Sequence, residues 1–122
     1  MGKMIMIDQN QIETLNESYK NATPSEIIKK AFELNAEAVV TTNFRPYEAA
    51  ILHAVNKVVP KTTVVWCDTG YNTPQTYRHA EKVISDLDLK IHLYVPKQTS
   101  AHRNVVLGIP SVDAPELSLI HI

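Results

Sequence analysis

Three short runs of β-branched and other apolar residues, separated by two segments of helical periodicity, constrain the fold of this chain more than any other feature. The runs are residues 38–42, 62–67 and 90–95, and each is typical of a buried strand. The segments between them, residues 46–59 and 73–87, carry apolar side chains at helical spacing. Strand, helix, strand, helix, strand predicts a parallel sheet with right-handed crossovers. We expect an α/β, Rossmann-like three-layer fold with a mostly parallel sheet.

Two helices are expected before the first strand. The leading one carries Ile12, Leu15 and Tyr19 at helical spacing. The second begins at Thr23-Pro24-Ser25-Glu26, a capping-box sequence with proline at the first helical position. Its apolar residues Ile27, Ile28 and Phe32 are expected to lie in the core. Residues after Gln98 are expected to be less regular, with a turn at residues 108–110.

Composition excludes several classes of protein. The chain has 122 residues, a formal net charge of -1 and 44% hydrophobic residues, which fits one ordinary globular domain. It has no basic excess to bind nucleic acid or an anionic membrane surface. Its single cysteine, Cys67, cannot form an internal disulfide, and no Cys/His group has zinc spacing. No signal peptide or membrane span is recognisable, so the expected location is the cytoplasm.

The candidate site follows from the predicted sheet. In open parallel sheets, ligands bind beyond the carboxyl ends of the strands, which here are residues 42–45, 68–70 and 95–97. In the middle segment, Asp68 can accept a hydrogen bond from an amine or a ribose hydroxyl, Thr69 can donate or accept one, and Gly70 allows a tight turn. A purely local role, with Asp68 bonding its own turn, is the alternative.

A family resemblance adds to this interpretation. Residues 64–78 read Val-Val-Trp-Cys-Asp-Thr-Gly-Tyr-Asn-Thr-Pro-Gln-Thr-Tyr-Arg. The pattern W-x-D-T-G-Y, followed by P-x-T-Y-R, resembles the phosphoadenylyl-sulfate and adenylyl-sulfate reductases of the PP-loop, or adenine-nucleotide α-hydrolase-like, group. Residues 42–53 fall where that family has its phosphate-side loop and helix. The resemblance covers roughly residues 36–110.

The resemblance implies which residues contact the nucleotide. The loop at residues 43–45 would face the phosphate or sulfate groups, and Cys67, Asp68 and Thr69 would line the adenosine side. The full expected substrate-binding set is Thr42, Asn43, Phe44, Arg45, Cys67, Asp68, Thr69 and Gly70. The loop departs from the Ser-Phe-Gly or Ser-Phe-Ser typical of the family, and Pro46 supplies no N–H. Arg45 either compensates with its forked guanidinium or is a solvated surface charge.

No catalytic or metal-binding residue is expected among those present. Cys67 lies in a hydrophobic strand with no adjacent cation to favour a thiolate. The resemblance implies a nucleophilic cysteine in a Glu-Cys-Gly-Leu-His type motif near the C-terminus, which this sequence does not contain. We therefore expect residues 1–116 to be a partial domain, inactive alone, and residues 117–122 to be a non-native tail, because Leu-Ser-Leu-Ile-His-Ile resembles a translated sequencing adaptor.

For a full-length protein, the resemblance implies reduction of phosphoadenylyl sulfate or adenylyl sulfate to sulfite, with thioredoxin or glutaredoxin as the reductant. Any iron–sulfur cluster would belong to the missing C-terminal part, and the sequence leaves a homo-oligomer open. One alternative is an ATP-binding PP-loop adenylyltransferase or synthetase, although these usually carry Ser-Gly-Gly-x-Asp-Ser in the first loop. Another is a non-catalytic nucleotide-binding or interaction domain.

Overall fold

The computed structural model describes residues 6–111. The predicted alternation of strands and helices is confirmed, and a fifth helix is added at the end. In chain order the elements are α1 (Gln9–Ser18), α2 (Pro24–Leu34), β1 (Val40–Thr42), α3 (Glu48–Val58), β2 (Thr63–Cys67), α4 (Pro74–Leu87), β3 (Lys90–Tyr94) and α5 (Ser100–Leu107). The boundary expected after residue 116 and the tail expected at residues 117–122 lie outside the described residues.

The three strands form one parallel sheet in the order β1-β2-β3. Val40 pairs with Val64, and Val64 pairs with Ile91, so these three side chains share one face of the sheet. Consecutive parallel strands joined by right-handed crossovers place both connecting helices, α3 and α4, on the same face. The expected α/β class and parallel sheet are confirmed.

The core lies between that face and the two helices. In β2 the side chains alternate, with Val64 and Trp66 buried and Val65 and Cys67 only half-buried on the other face. The central strand therefore presents one face to the core and the other towards the surface. The buried apolar cluster consists of Phe44, Leu52, Val64, Trp66, Ala80, Val83 and Leu89.

Threonine caps define where three of the helices begin. The hydroxyls of Thr23, Thr73 and Thr99 each accept a hydrogen bond from the backbone N–H three residues later, at the starts of α2, α4 and α5. The expectation of irregular structure after Gln98 is wrong, because Thr99 caps α5 and Gly108 follows its end. The apolar residues of α5 come as one consecutive run, Val105, Val106 and Leu107, so they gave no helical stripe.

The apolar face of α2 packs less deeply than expected. Ile27 is 48% exposed, while Ile28 and Phe32 are half-buried. This helix packs against α3 rather than against the sheet, so its side chains lie at the border of the main core and not within it. No helix among residues 6–111 is long and apolar enough to span a bilayer.

Neighbouring residues on α3 provide a test of this core. Leu52 is 1% exposed and Ile51 is 58% exposed. We expect Leu52→Ala to lower the free energy of unfolding by about 2–5 kcal/mol, because it leaves a cavity under the sheet. Ile51→Ala, the control, should change it by less than about 0.5 kcal/mol. Urea titrations of both variants would measure this, and equal losses would contradict the packing of α3.

Candidate functional site

The carboxyl ends of the parallel strands bring the predicted site segments to one edge of the sheet. We call residues 43–47, which follow β1, the β1 loop, and residues 68–70, which follow β2, the DTG turn. A cavity of about 230 Å³ opens where β1 and β2 end. Its walls are Thr41, Thr42, Asn43, Glu48, Val65 and Cys67. Three residues expected to bind substrate, Thr42, Asn43 and Cys67, thus meet in one cavity.

A larger cleft of about 410 Å³ lies elsewhere, between α1 and α2. Its lining includes Ile7, Leu15 and Leu34, with Asp8 and Lys30 as its charged residues. The capping bonds of α1 already engage the Asp8 carboxylate. None of its lining residues belongs to the strand ends, where parallel α/β domains bind ligands. We therefore take the sheet edge as the candidate site.

Glu48, at the start of α3, organises the β1 loop. Its Oε2 accepts hydrogen bonds from the Thr42 hydroxyl at 2.7 Å, the Asn43 N–H at 2.8 Å and the Arg45 N–H at 3.3 Å. Reasoning from the sequence missed this residue. Its only signal was an acid in the first turn of a helix, where the helix dipole favours negative charge.

Glu48 is held in its charged form by this arrangement. Partial burial raises the pKa of the carboxyl group, but the hydrogen bonds from Thr42, Asn43 and Arg45, together with the Arg45 charge, outweigh burial and leave the pKa below its usual value of 4.5. Two backbone donors of the loop that an anionic ligand could otherwise use, the N–H groups of Asn43 and Arg45, are thus already engaged by a carboxylate of the same chain.

Phe44 fixes the loop from the core side. Its φ of 55° lies in the left-handed region, which costs a non-glycine residue about 1–2 kcal/mol. The side chain is 2% exposed, and its ring packs edge-on against Trp66 with centroids 4.8 Å apart. The Phe44 N–H donates to the Thr42 hydroxyl at 2.9 Å. The structure thus places the side chain of Phe44 in the core. The hydroxyl of the buried Thr42 is hydrogen-bonded to the Phe44 N–H and to the Glu48 carboxylate.

Arg45 is exposed in the β1 loop, as are Asn43, Pro46 and Tyr47. Within residues 6–111 the Arg45 guanidinium takes part in no salt bridge. The guanidinium influences Glu48 only through its charge. The backbone N–H of Arg45, by contrast, donates a hydrogen bond to the Glu48 carboxylate. The forked donors of this side chain therefore remain available at the carboxyl edge.

Asp68 uses its two carboxylate oxygens differently. Oδ1 accepts hydrogen bonds from the Gly70 N–H at 2.9 Å, the Asn72 side-chain amide at 3.0 Å and the Tyr77 hydroxyl at 2.9 Å. No hydrogen bond to Oδ2 occurs among residues 6–111. The local turn bond proposed as the alternative role is present, yet it occupies only one oxygen. The other oxygen keeps its capacity to accept a hydrogen bond.

Tyr77 is held as a hydrogen-bond donor to Asp68. Burial, the hydrogen bond to Asp68 and the negative charge of that carboxylate all raise the pKa of the phenol above its usual value of 10.0, and contacts with Asn72 oppose them only in part. The hydroxyl consequently keeps its proton. Neither Tyr77 nor Asn72 was among the expected site residues, because both act through Asp68.

The DTG turn is packed against the start of α5. Gly70 has a φ of 83°, and a Cβ added there would run into the Ser100 hydroxyl, which donates to the Gly70 carbonyl at 2.9 Å. The Thr69 hydroxyl accepts from the Tyr71 N–H at 3.2 Å. The backbone conformation therefore favours glycine at position 70, and a Cβ there would also displace the Ser100 hydroxyl from its hydrogen bond.

Cys67 lies half-buried in the cavity wall, less enclosed than a core strand residue would be. It is the single cysteine of the sequence. Among residues 6–111, no group of three His, Cys, Asp or Glu side chains could hold a metal ion.

The fold and its edge first define a class: an α/β domain whose polar loops meet at the carboxyl ends of parallel strands, the arrangement that nucleotide-binding domains of this architecture use. The phosphoadenosine phosphosulfate reductase domain matches residues 37–114, more than half of the chain. The chain belongs to this family, as its D-T-G-Y and T-Y-R motifs predicted.

Individual relatives agree with the family assignment. Phosphoadenosine 5′-phosphosulfate reductase of Synechocystis sp. is 32% identical over 96 residues, covering 78% of this chain and 39% of the relative. The enzyme of that name from Alteromonas mediterranea is 27% identical over 103 residues, covering 84% and 42%. The chain thus spans about two fifths of the length of these curated relatives. In fold it is similar to phosphoadenylyl-sulfate reductase from Candida auris, solved as a phosphate complex, with a TM-score of 0.82, 22% identity, and coverage of 98% of this chain and 60% of that one.

The role of Glu48 can be tested by titration. Because its pKa is lowered in the folded state, its contribution to stability is present above pH 4.5 and is lost as the pH falls through the folded-state pKa. Near neutral pH, Glu48→Gln should lower the free energy of unfolding by about 0.5–2 kcal/mol, as for loss of a capping carboxylate. The difference in the free energy of unfolding between Glu48→Gln and the unsubstituted chain should disappear at acidic pH. Denaturant titrations across pH would measure it, with the exposed Glu81→Gln as the control. A gap independent of pH would contradict the assignment.

Proposed function

We propose that this chain forms the nucleotide-binding part of a reductase that converts phosphoadenylyl sulfate, or adenylyl sulfate, to sulfite. The observation that carries the proposal is the Asp68 carboxylate at the end of β2. Three donors hold one of its oxygens and leave the other without a hydrogen bond among the described residues. A fixed acceptor at the carboxyl edge of a parallel sheet suits a ribose hydroxyl or an adenine amine. Family membership supplies the substrate class.

In this proposal the nucleoside and the anionic groups have separate partners. Asp68 accepts from the nucleoside, with Tyr77 as a positioning residue. The anionic groups lie towards the β1 loop. There the N–H groups of Asn43 and Arg45 already donate to Glu48, so charge recognition falls to the Arg45 guanidinium. A charged side chain thus takes the place of the backbone donors that a serine- and glycine-rich loop would offer.

The reduction itself needs a nucleophilic thiolate. In the proposed reaction, a cysteine sulfur attacks the sulfate sulfur of the nucleotide, and the bond from that sulfur to the phosphate oxygen breaks. The nucleotide leaves, and the enzyme carries a cysteine thiosulfonate. A dithiol protein such as thioredoxin or glutaredoxin then attacks the cysteine sulfur, releases sulfite and becomes oxidised to its disulfide. We place that cysteine outside these 122 residues, because Cys67 has Trp66 and Asp68 as its sequence neighbours rather than a cation.

Binding measurements can separate the two kinds of contact. Asp68→Ala should weaken adenosine and adenosine 3′,5′-bisphosphate alike, because the lost acceptor serves the nucleoside. Arg45→Ala should weaken only the phosphorylated ligand, by about tenfold or more, as expected for a charge-assisted hydrogen bond. Calorimetry on the 122-residue chain would measure both, with Lys57→Ala as a control that removes a positive charge from the last turn of α3.

Three outcomes would count against this arrangement. Equal losses of both ligands with Arg45→Ala would place that residue outside the anion site. Unchanged affinities with Asp68→Ala would remove the nucleoside contact. Tighter binding of ATP than of the bisphosphate would favour an adenylating PP-loop enzyme over a reductase.

An activity assay tests the location of the nucleophile. Incubated with phosphoadenylyl sulfate, thioredoxin and a reducing system, the 122-residue chain should release no more sulfite than a protein-free control. Sulfite above that control would contradict the proposal. Its loss in Cys67→Ser would then identify Cys67 as the nucleophile.

A further inference from the structure

Arg103, on α5, buries one nitrogen of its guanidinium group. Its Nη1 is buried, and it has no hydrogen-bond partner among residues 6–111. No salt bridge in this part of the chain involves Arg103 either. A buried guanidinium N–H is costly unless an acceptor meets it, and such groups usually have partners in folded proteins. We therefore consider a ligand as the source of the missing hydrogen-bond acceptor.

Tyr71 ties this arginine to the DTG turn. The Arg103 Cζ lies 5.8 Å from the centre of the Tyr71 ring, and the Tyr71 hydroxyl donates to the Asn104 side-chain oxygen at 2.5 Å. At its other end, the Tyr71 N–H donates to the Thr69 hydroxyl at 3.2 Å. The aromatic ring therefore supports the guanidinium beside residues already at the candidate site.

Arg45 and Arg103 follow different strands of the sheet. Arg45 follows β1, Asp68 follows β2, and α5 follows β3 in a sheet ordered β1-β2-β3. The contact between Ser100 and Gly70 fixes the start of α5 against the turn after β2. Arg45 and Arg103 thus belong to segments that follow the two outer strands, β1 and β3, whereas Asp68 follows the central strand.

We propose that Arg103 is a second oxyanion-binding residue, which pairs with a phosphate or sulfate group of the nucleotide on the β3 side of Asp68. The inference rests on the proposed nucleotide binding and extends it. A guanidinium offers forked donors that match the oxygens of a phosphate or sulfate group. A nucleotide with anionic groups at two positions would span the edge from Arg45 to Arg103, with its nucleoside at Asp68.

Calorimetry with three ligands tests the inference on the 122-residue chain. Adenosine, adenosine 5′-phosphate and adenosine 3′,5′-bisphosphate would be titrated into the unsubstituted chain, Arg103→Met and Arg103→Lys. Lys57→Met is the matched control, because the last turn of α3 lies towards the opposite edge of the sheet. We expect Arg103→Met to keep its affinity for adenosine and to lose about tenfold or more for a phosphorylated ligand. Arg103→Lys should fall between the two.

The pattern of losses identifies the group that Arg103 binds. A loss that appears already with adenosine 5′-phosphate assigns Arg103 to the 5′ group, and a loss confined to the bisphosphate assigns it to the 3′-phosphate. Equal affinities of Arg103→Met and the unsubstituted chain for both phosphorylated ligands, with adenosine still bound, would overturn this inference alone. Absence of binding of all three ligands by the unsubstituted chain would instead overturn the proposed function on which it rests.

A melting experiment separates ligand binding from a structural role. Arg103→Met removes a buried donor that lacks a partner and keeps an apolar side chain on the Tyr71 ring, so the unliganded variant should melt at the same temperature or higher. A melting temperature lowered by several degrees would show that Arg103 serves chiefly to stabilise α5, and would overturn its assignment to a ligand.

Discussion

The contact between the rings of Phe44 and Trp66 is the interaction on which the rest of the sheet edge depends. Trp66 lies on the central strand, and Phe44 lies just beyond the end of its neighbour. The centroids of Trp66 and Tyr77 are 6.1 Å apart, so a row of three rings runs beneath the edge. Burial of the Phe44 side chain offsets the energetic cost of its left-handed backbone conformation. At the other end of the row, the Tyr77 hydroxyl donates a hydrogen bond to Asp68. Both halves of the candidate site are thus positioned from the core.

Two carboxylates at this edge have opposite roles because of how their oxygens are engaged. Glu48 gathers three donors of the β1 loop onto one oxygen, and its negative charge occupies the place where an anionic ligand would meet backbone N–H groups. Asp68 also gathers three donors onto one oxygen, but they come from its own turn and from α4, at the end of the central strand. The first carboxylate therefore shapes a loop, whereas the second keeps one oxygen without a hydrogen bond among the described residues.

The sequence predicted the elements far better than the interactions between them. The runs of residues 38–42 and 62–67 and the Thr73-Pro74 start follow from local periodicity and capping, which are properties of neighbouring residues. The family assignment followed from motifs of the same local kind. The role of Glu48 depends on the left-handed turn at Phe44, which only burial against another strand stabilises. Helix α5 was missed because its large apolar residues are consecutive and show no helical spacing. The contacts of Arg103, which lies on this helix, were missed for the same reason.

Under the proposed function, a chain with a net charge of -1 binds an anionic nucleotide through a few individually placed charges. Long-range attraction is weak for such a protein, since the summed field is close to neutral. Selectivity then depends on where individual charges lie and how they are held. Arg45 is exposed next to the carboxylate that fixes its backbone, and Arg103 lies against a tyrosine ring whose hydroxyl donates a hydrogen bond to Asn104 of α5. A held guanidinium loses less conformational freedom when a ligand binds, so it can favour a phosphate or sulfate group without any excess of positive charge.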